Sequence, residues 1–308
     1  MAEPVIRARG LRKSYGDLEA VRGIDLEVER GEIFAFLGPN GAGKTTTVEI
    51  LEGYRRRGSG EVSVLDTDPA RADRSWRERI GIVLQDSTMH PELTVHETLE
   101  LFAGYYRRPR GVDATVSLVG LSNKADDRVG RLSGGQRRRL DVALALIGDP
   151  ELLFLDEPTT GFDPSARRRA WEMVANLREL GKTVFLTTHY MEEAQELADR
   201  VAIIAHGEIV AQGSPRELAS RGGTAARISF QLPAGIPGSD LPEGLAAPAR
   251  NGQVQVLAED PVPLLHELTS WALERRIPLA GLEVTHRSLE DVYLELTADE
   301  PDGGGTEQ

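Results

Sequence analysis

Short apolar runs recur along the first 220 residues and predict the strands of a buried sheet. The runs lack strict alternation of apolar and polar positions, and Gly, Pro or Asp residues lie close to their ends. That pattern is typical of strands buried on both faces of a mostly parallel sheet. The runs are Ile33–Leu37, Ile80–Leu84, Leu152–Leu155, Val184–Leu186 and Val201–Ala205.

Helical patterns lie between these runs. Thr94 and Glu97 have the Thr-x-x-Glu spacing of a capping box, which predicts a helix that runs from there toward Tyr106. Two further helices are predicted after Gly134-Gly135 and through Met191–Asp199. Strands that alternate with helices in this way predict an α/β domain.

The composition changes near residue 222 and predicts a domain boundary. We expect one α/β domain over residues 1–221, a small second α/β domain over 222–298, and a disordered acidic, Gly-rich tail over 299–308. The predicted strands of the second domain are Ile228–Leu232, Val254–Leu257 and Leu282–Val284, and its predicted helices are Pro263–Glu274 and Ser288–Leu296.

Composition narrows the class of protein. The 308 residues include 36 basic and 49 acidic side chains, a net charge of −13, and no cysteine. The lack of cysteine excludes a disulfide scaffold and a Cys-ligated metal site. The negative charge argues against electrostatic binding of nucleic acid or of an anionic membrane surface. Neither a transmembrane-length apolar run nor a secretory signal pattern is present, so we expect a cytosolic chain that does not itself cross a membrane.

A glycine-rich loop after the first apolar run has the pattern of a phosphate-binding loop, G-x-x-x-x-G-K-T. It follows the candidate strand Ile33–Leu37 and precedes a predicted helix at Thr46–Leu51, which is the context that the motif requires. Glycines let successive N–H groups point into one concavity, and the helix adds its positive N-terminal end. We expect Lys44 to reach the β- and γ-phosphates and Thr45 to ligate Mg²⁺. The loop consists of Gly38, Pro39, Asn40, Gly41, Ala42, Gly43, Lys44 and Thr45, with Thr46 after it.

Two acids follow the apolar run Leu152–Leu155. A buried strand that ends at Asp156 places this carboxylate beside the phosphate loop, where it is expected to hold Mg²⁺. Glu157 is expected to act as the general base on the attacking water. A solvated strand end is the alternative for the pair taken alone, and the phosphate loop upstream favours the functional interpretation.

A second anion-binding pattern separates this chain from other phosphate-loop proteins. Leu132 to Gln136 read L-S-G-G-Q and precede a helix, so Ser133 and two glycines form a second helix N-terminus suited to phosphate. At this segment the sequence strongly resembles the ATP-binding-cassette (ABC) family, whose signature motif is LSGGQ. The resemblance covers residues 5–220 and implies an antiparallel β subdomain and a helical subdomain that carries the signature.

The resemblance also implies a site shared by two copies. In that family two cassettes pair head to tail, each ATP lying between the phosphate loop of one copy and the signature of the other. Taken singly, Tyr15 better suits a packed surface aromatic, Gln85 a solvated loop residue and His189 a capped strand-end histidine. Their order and spacing around the two strong motifs favour the functional roles instead. The implied nucleotide contacts are Tyr15 on adenine, Gly38 to Thr46 on phosphate and Mg²⁺, Gln85 on Mg²⁺ and water, the signature residues Ser133, Gly134, Gly135 and Gln136, the D-loop Asp163, and His189 on the γ-phosphate, with Asp156 and Glu157 as the Walker B acids.

Two other patterns have simpler explanations. Asn123 to Asp126 fit the N-K-x-D guanine motif, but they do not follow a buried strand, so we favour a turn. The arginine clusters are expected to be mostly solvated helix faces, with contact to a membrane partner as the weaker hypothesis for the first two. These clusters are Arg55–Arg57, Arg107-Arg108, Arg137–Arg139 and Arg167–Arg169.

Three stretches resemble the ATPase subunits of daunorubicin-resistance-type exporters, the ABC-2 group. They are Glu157–Gly161, Thr187–Ala194 and Ser288–Thr297. This resemblance implies an ATPase on the cytoplasmic face of the membrane that powers a separate transmembrane permease, exporting a drug, antibiotic or lipid-like compound. A soluble ABC ATPase of translation or DNA maintenance is the alternative, and a phosphate-loop kinase or GTPase leaves the LSGGQ segment unexplained.

Overall fold

The computed structural model describes residues 4–84, 89–220, 226–233, 236–242, 245, 252–286 and 288–297. The chain divides into two compact units, Met1–Pro215 and Arg216–Gln308. The predicted domain boundary after residue 221 and the predicted tail 299–308 lie outside the described residues, so both stay predictions.

The first unit contains two sheets and a set of helices. Its strands are β1 (Ile6–Tyr15), β2 (Leu18–Val28), β3 (Ile33–Leu37), β4 (Ser59–Val64), β5 (Ile80–Val83), β6 (Leu152–Asp156), β7 (Thr183–Thr188), β8 (Arg200–Ala205) and β9 (Glu208–Gly213). Its helices are α1 (Lys44–Leu51), α2 (Arg74–Arg77), α3 (Val95–Ala103), α4 (Val112–Leu118), α5 (Gly134–Leu146), α6 (Pro164–Glu179) and α7 (Met191–Leu197), and α8 (Pro215–Ser220) begins at its last residue.

The central sheet has the strand order β5-β6-β7-β3-β8-β9. β5, β6, β7, β3 and β8 pair in parallel, and β9 pairs with β8 in the antiparallel sense. Every residue of β3 and β7 is buried, as the continuous apolar runs predict for strands covered on both faces. The mostly parallel α/β fold is therefore confirmed.

Four phenylalanines form the centre of this core. Phe185 of β7 contacts the rings of Phe34 and Phe36 on β3 and of Phe154 on β6, at centroid distances of 5.5 to 5.7 Å. Such pairs each contribute about 0.5–1.5 kcal/mol beyond the burial of their surface. These contacts hold together the strands whose carboxyl ends carry the site.

The second sheet of this unit is antiparallel, with the order β2-β1-β4. Buried Ile6 and Ala8 alternate with exposed Arg7 and Arg9 along β1, so one face packs inward and the other meets solvent. A register shift at Gly10 interrupts the alternation, which is why apolar runs alone do not reveal these strands. The antiparallel sheet that the resemblance implies is present.

Helices α3 and α5 both begin at full capping boxes. Thr94 and Glu97 cap α3, and Ser133 and Gln136 cap α5, each pair exchanging backbone and side-chain hydrogen bonds. α3 ends at Ala103, earlier than the predicted extension toward Tyr106, and Gly104 is its C-cap. No helix among the described residues is long and apolar enough to cross a membrane.

After α8, the described residues of the second unit form a three-stranded antiparallel sheet with two helices. Its elements are β10 (Ala226–Gln231), β11 (Gln253–Ala258), α9 (Pro261–Arg275), β12 (Ala280–His286) and α10 (Leu289–Thr297), and the strand order is β11-β10-β12. Ile228, Phe230, Val254 and Leu268 belong to a separate buried cluster. The predicted strands and helices of this part all occur, with bounds shifted by one or two residues.

Candidate functional site

The phosphate loop curls tightly between β3 and α1. Gly41 and Gly43 adopt φ values of 81° and 101°, which favour glycine. A Cβ atom on Gly38 or Gly43 would lie 2.4 Å from the carbonyl oxygen of Ile204 or of Ala20, respectively. The loop therefore needs glycine at position 38 for close packing and at position 43 for both close packing and conformation.

Lys44 lies in this loop with its ammonium group held by backbone oxygens. Its Nζ donates to the carbonyl oxygens of Gly38 at 2.7 Å and Pro39 at 3.0 Å. Burial lowers the pKa of Lys44, and the nearby carboxylates of Glu157 and Asp156 oppose that shift. The cation is therefore placed at the mouth of a backbone concavity that is suited to phosphate.

The two acids stand at the carboxyl end of β6, next to β7. Asp156 pairs in register with Thr187, whose hydroxyl donates to the Asp156 carboxylate. The Glu157 N–H in turn donates to the Thr187 carbonyl oxygen and approaches its hydroxyl oxygen, each at 3.1 Å. One threonine of the neighbouring strand thus orders both acids.

Glu157 has a left-handed backbone, with φ of 44°. That region costs an L side chain about 1–2 kcal/mol, so surrounding contacts must hold the residue there. Its carboxylate contacts His189 Nδ1 at 3.1 Å and accepts a hydrogen bond from the Thr160 hydroxyl at 3.1 Å. The Glu157 side chain is 14 % exposed and the His189 side chain 40 %, so both reach the edge of solvent.

The phosphate loop and the two acids open onto one cleft of about 640 Å³. Tyr15 stands at this cleft and is 40 % exposed, and the cations of Lys13 and Arg55 each lie 5.3 Å from its ring centroid. The predicted site residues that line the cleft are Tyr15, Asn40, Gly41, Gly43, Lys44, Thr45, Thr46, Asp156, Glu157 and His189.

The signature residues lie at a different surface of the same unit. Gly134 and Gly135 line a second cleft of about 540 Å³, to which Glu157 also contributes. The Gln136 side chain accepts from the Ser133 N–H at 2.8 Å, closing the capping box rather than facing the phosphate-loop cleft. Within one chain, the structure does not bring the signature and the phosphate loop together at the cleft.

The predicted D-loop residue Asp163 does not line the cleft. The Asp163 carboxylate caps α6 by accepting from the N–H groups of Ser165 and Ala166, each at 2.9 Å. Gln85 lies outside the described residues. The N-K-x-D segment is a turn, because Ser122–Lys124 forms a single 3₁₀ turn and Lys124 pairs with Asp127.

Several buried polar residues near the acids were not predicted. Glu193 is fully buried, accepts hydrogen bonds from Thr159 and Trp171, and has its pKa raised by burial. Burial raises the pKa of Glu52, at the end of α1, to about 8. Arg138, one of the arginines expected to be solvated, is half-buried and donates to backbone carbonyls. None of the motifs near them in sequence assigns them a role, so only the three-dimensional packing reveals their contacts.

The oxygen donors at the cleft fit a magnesium ion. The Asp156 carboxylate and the Thr45 hydroxyl both line the cleft, and hard oxygen ligands are those that Mg²⁺ prefers. Mg²⁺ usually keeps several waters and takes one or two carboxylates plus substrate phosphates. The described residues contain no ready-made cluster of three His, Cys, Asp or Glu ligands, which this mode of binding does not need.

Two family models match the chain. Residues 21–160 match the model described as ABC transporter, and residues 226–288 match that of the ABC transporter domain-containing protein-like C-terminal domain. The first match spans the phosphate loop, the signature and both acids.

Relatives match almost the whole chain. The Nod factor export ATP-binding protein I of Ralstonia nicotianae is 41% identical over 313 residues, covering 96% of this chain and 95% of the relative. The protein of the same name from Rhizobium meliloti is 42% identical, covering 96% and 88%. The similarity thus includes the second unit.

Solved structures match about 70% of the chain. cbiO1 of Clostridium perfringens, part of the ABC transporter complex cbiONQ, has a TM-score of 0.66 at 28% identity, covering 71% of this chain and 92% of that one. A dimeric ATP-binding cassette in a post-hydrolysis state with ADP and Pi has a TM-score of 0.61 at 26% identity, covering 68% and 98%.

Proposed function

The chain belongs to the ABC transporter family of ATP-binding proteins, and from this premise we propose that it is the ATP-hydrolysing subunit that powers export through a separate transmembrane permease. The observation that carries the proposal is the single cleft onto which the phosphate loop and the two acids of β6 open. A nucleotide in that cleft meets a cation, backbone N–H groups and two carboxylates, the set that phosphoryl transfer needs.

The binding half of the mechanism uses the phosphate loop. The loop N–H groups and the positive end of α1 hold the phosphates, and Lys44 turns from the Gly38 and Pro39 carbonyls to the β- and γ-phosphates. Tyr15 stacks on the adenine. Thr45, Asp156 and Gln85 are the proposed holders of Mg²⁺, which neutralises charge on the phosphate oxygens when bound.

The hydrolytic half uses the end of β6. Glu157 takes a proton from the attacking water, and its contact with His189 keeps the carboxylate at the edge of the cleft. His189 also has a donor to offer the γ-phosphate. Thr187 hydrogen-bonds to both acids, so this one residue positions the proposed metal ligand Asp156 and the proposed base Glu157.

We infer that two copies complete each site. The signature residues Ser133, Gly134, Gly135 and Gln136 and the D-loop Asp163 do not line the phosphate-loop cleft of their own chain. A head-to-tail pair brings the signature N-terminus of one copy to the γ-phosphate held by the other. A dimeric cassette with ADP and Pi among similar structures supports this arrangement.

Export is the direction that the relatives favour. The relatives named above are Nod factor export ATP-binding proteins, which supports an exported compound of the drug, antibiotic or lipid-like class. The partner is then a permease encoded separately, and the chain sits at the cytoplasmic face of the membrane through it. A role in translation or DNA maintenance is not favoured, because the similarity to these export proteins covers 96% of the chain.

The test joins hydrolysis with membrane attachment. Glu157→Gln in the full chain should bind ATP, hydrolyse it very slowly, and accumulate as an ATP-bound dimer on size exclusion. Normal turnover by this variant would contradict the proposed base.

The wild-type chain, expressed with its neighbouring membrane protein, should purify from detergent-solubilised membranes as a complex, whereas a pool bound to ribosomes would contradict the export role.

A further inference from the structure

Arg138 connects the signature helix to the backbone around the proposed base. Its Nη2 donates to the carbonyl oxygens of Asp156 at 2.6 Å and Glu157 at 3.3 Å. Its Nε donates to the Pro158 carbonyl oxygen at 3.3 Å, and its Nη1 donates to that of Leu84. One guanidinium therefore binds three consecutive carbonyls that begin at the last residue of β6, and a fourth carbonyl just after β5.

These carbonyls flank the strained residue of the site. Glu157 has φ of 44°, a conformation that an acidic side chain keeps only when its surroundings fix it. Thr187 holds the N–H side of Glu157, and Arg138 holds the carbonyl side. The backbone of the base is thus held from two directions by groups on different elements.

The planar geometry of arginine suits this task. A guanidinium presents five N–H donors in a fixed fork, whereas the lysine ammonium is a point charge with three rotatable donors. Arg137, its neighbour on α5, is exposed and shows no such hydrogen bonds to this backbone among the described contacts. Position 138 therefore differs from its neighbour in geometry and not in charge.

We propose that Arg138 is a positioning residue that sets the Glu157 carboxylate for hydrolysis and ties it to the signature helix α5. The proposal rests on the proposed role of Glu157 as base. Arg138 lies one turn after the start of α5 at Gly134, so displacement of the signature end moves the backbone that carries Glu157. Arg138 should therefore affect the hydrolytic step and not the binding of nucleotide.

The first experiment compares three variants of the full chain: Arg138→Gln, Arg138→Lys and the matched control Arg137→Gln. A small misplacement of a catalytic group costs up to roughly 100-fold in rate, so Arg138→Gln should lower kcat by about 10- to 100-fold. Its Kd for ATP should stay within about twofold. Arg138→Lys should recover part of kcat, and Arg137→Gln should match the wild type. Equal losses of affinity and kcat in Arg138→Gln would overturn the proposal.

The second experiment separates positioning from a general structural role. In single-turnover hydrolysis, Arg138→Gln should add little to the loss already caused by Glu157→Gln, because both act through one carboxylate. Full additivity of the two losses would overturn the proposal. If Arg138→Gln does not fold, the same cycle with Arg138→Lys decides between these outcomes.

The outcomes also separate this proposal from the proposed function. An inactive Glu157→Gln together with wild-type behaviour of Arg138→Gln removes only the positioning role. Normal turnover by Glu157→Gln removes the proposed base, and the role of Arg138 with it.

Discussion

The phosphate loop and the end of β6 face one cleft, but different kinds of contact hold them. The loop is shaped mostly by its own backbone: Gly41 and Gly43 have positive φ, and Lys44 donates to carbonyls at most six residues away. Its distant constraint is the close packing of two glycines against the carbonyls of Ile204 and Ala20. The two acids depend on distant side chains. Thr187, His189 and Arg138 lie 30, 32 and 19 residues from Glu157 in sequence.

This difference determines how each part should respond to mutation. A change within the loop alters the binding of phosphate directly, because the loop itself is the binding surface. The end of β6 should respond to changes in residues that never touch nucleotide, because those residues hold the acids in place. Substitutions in the loop should therefore lower the affinity for ATP, and substitutions around the end of β6 should lower kcat.

Removal of the loop cation should have the largest effect. Lys44→Ala should lower kcat/KM for ATP by roughly 10²- to 10³-fold, the usual effect of removing one preorganised hydrogen-bond donor from a reaction site. Lys124→Ala is the control, because Lys124 pairs with Asp127 and does not line the cleft. Steady-state ATPase assays measure both. Unchanged hydrolysis by Lys44→Ala would contradict the assignment of the loop.

A pair of alanine substitutions sharpens the description of the loop. Gly43→Ala meets both an unfavourable φ of 101° and the Ala20 carbonyl oxygen at 2.4 Å, whereas Gly41→Ala at φ of 81° meets nothing within 4 Å. Left-handed strain costs about 1–2 kcal/mol and overpacking about 1–3 kcal/mol more. Nucleotide affinity, by fluorescence titration, should fall about 5- to 150-fold further in Gly43→Ala. Equal losses would show that close packing at Gly43 is unimportant.

The phosphate loop was easier to predict from the sequence than the surroundings of the two acids, because its contacts are mostly local and theirs are distant. A loop built from contiguous residues leaves a contiguous pattern, Gly38 to Thr45, and the strand before it is a continuous apolar run. Asp156 and Glu157 were predicted as site residues, but the support from Thr187 and Arg138 was not. Those contacts depend on which strands and helices become neighbours, and no single-sequence pattern encodes that.

The elements of the fold also divide into those that a local sequence pattern predicts and those that it does not. Strands buried on both faces, such as β3 and β7, appear in the sequence as apolar runs, and their bounds differ from prediction by at most two residues. β1 alternates and carries a register shift, so its strand was expected only through the family resemblance. Helix α6 was not predicted, although Asp163 before Pro164 is a recognisable N-cap followed by proline at N1.

A change at Thr187 tests the distant support of the acids. Thr187→Val removes the hydroxyl that donates to Asp156 and approaches the Glu157 N–H, while the side-chain volume is kept. We expect kcat to fall about tenfold, since a lost hydrogen bond to a charged group costs about 1.5–3 kcal/mol and the acids are partly held by other contacts. Thr187→Ser keeps the hydroxyl and should retain most activity. A fall in ATP affinity without a fall in kcat would contradict the distinction between loop and strand end.

The smallest effect on turnover should come from Glu52, which connects the two regions through charge. Burial, then the charges of Asp156 and Glu49, raise its pKa from 4.5 to about 8. Between pH 4.5 and about 8, Glu52 ionises in the unfolded chain but stays protonated in the folded chain. Ionisation lowers the free energy of the unfolded chain only, so the free energy of unfolding falls as pH rises toward 8. Glu52→Gln should remove that loss while changing kcat by less than about twofold.

Melting temperatures of the full chain test this prediction. The Tm advantage of Glu52→Gln over the wild type should be small near pH 5 and grow toward about pH 8. Glu49→Gln, one turn away and paired with Arg55, is the control and should leave most of that pH dependence in place. The advantage should also shrink in an Asp156→Asn background, because the negative charge of Asp156 contributes to the raised pKa of Glu52. A Tm difference independent of pH would mean that Glu52 is ionised in the folded chain, and that the strand end does not influence the helix that follows the phosphate loop.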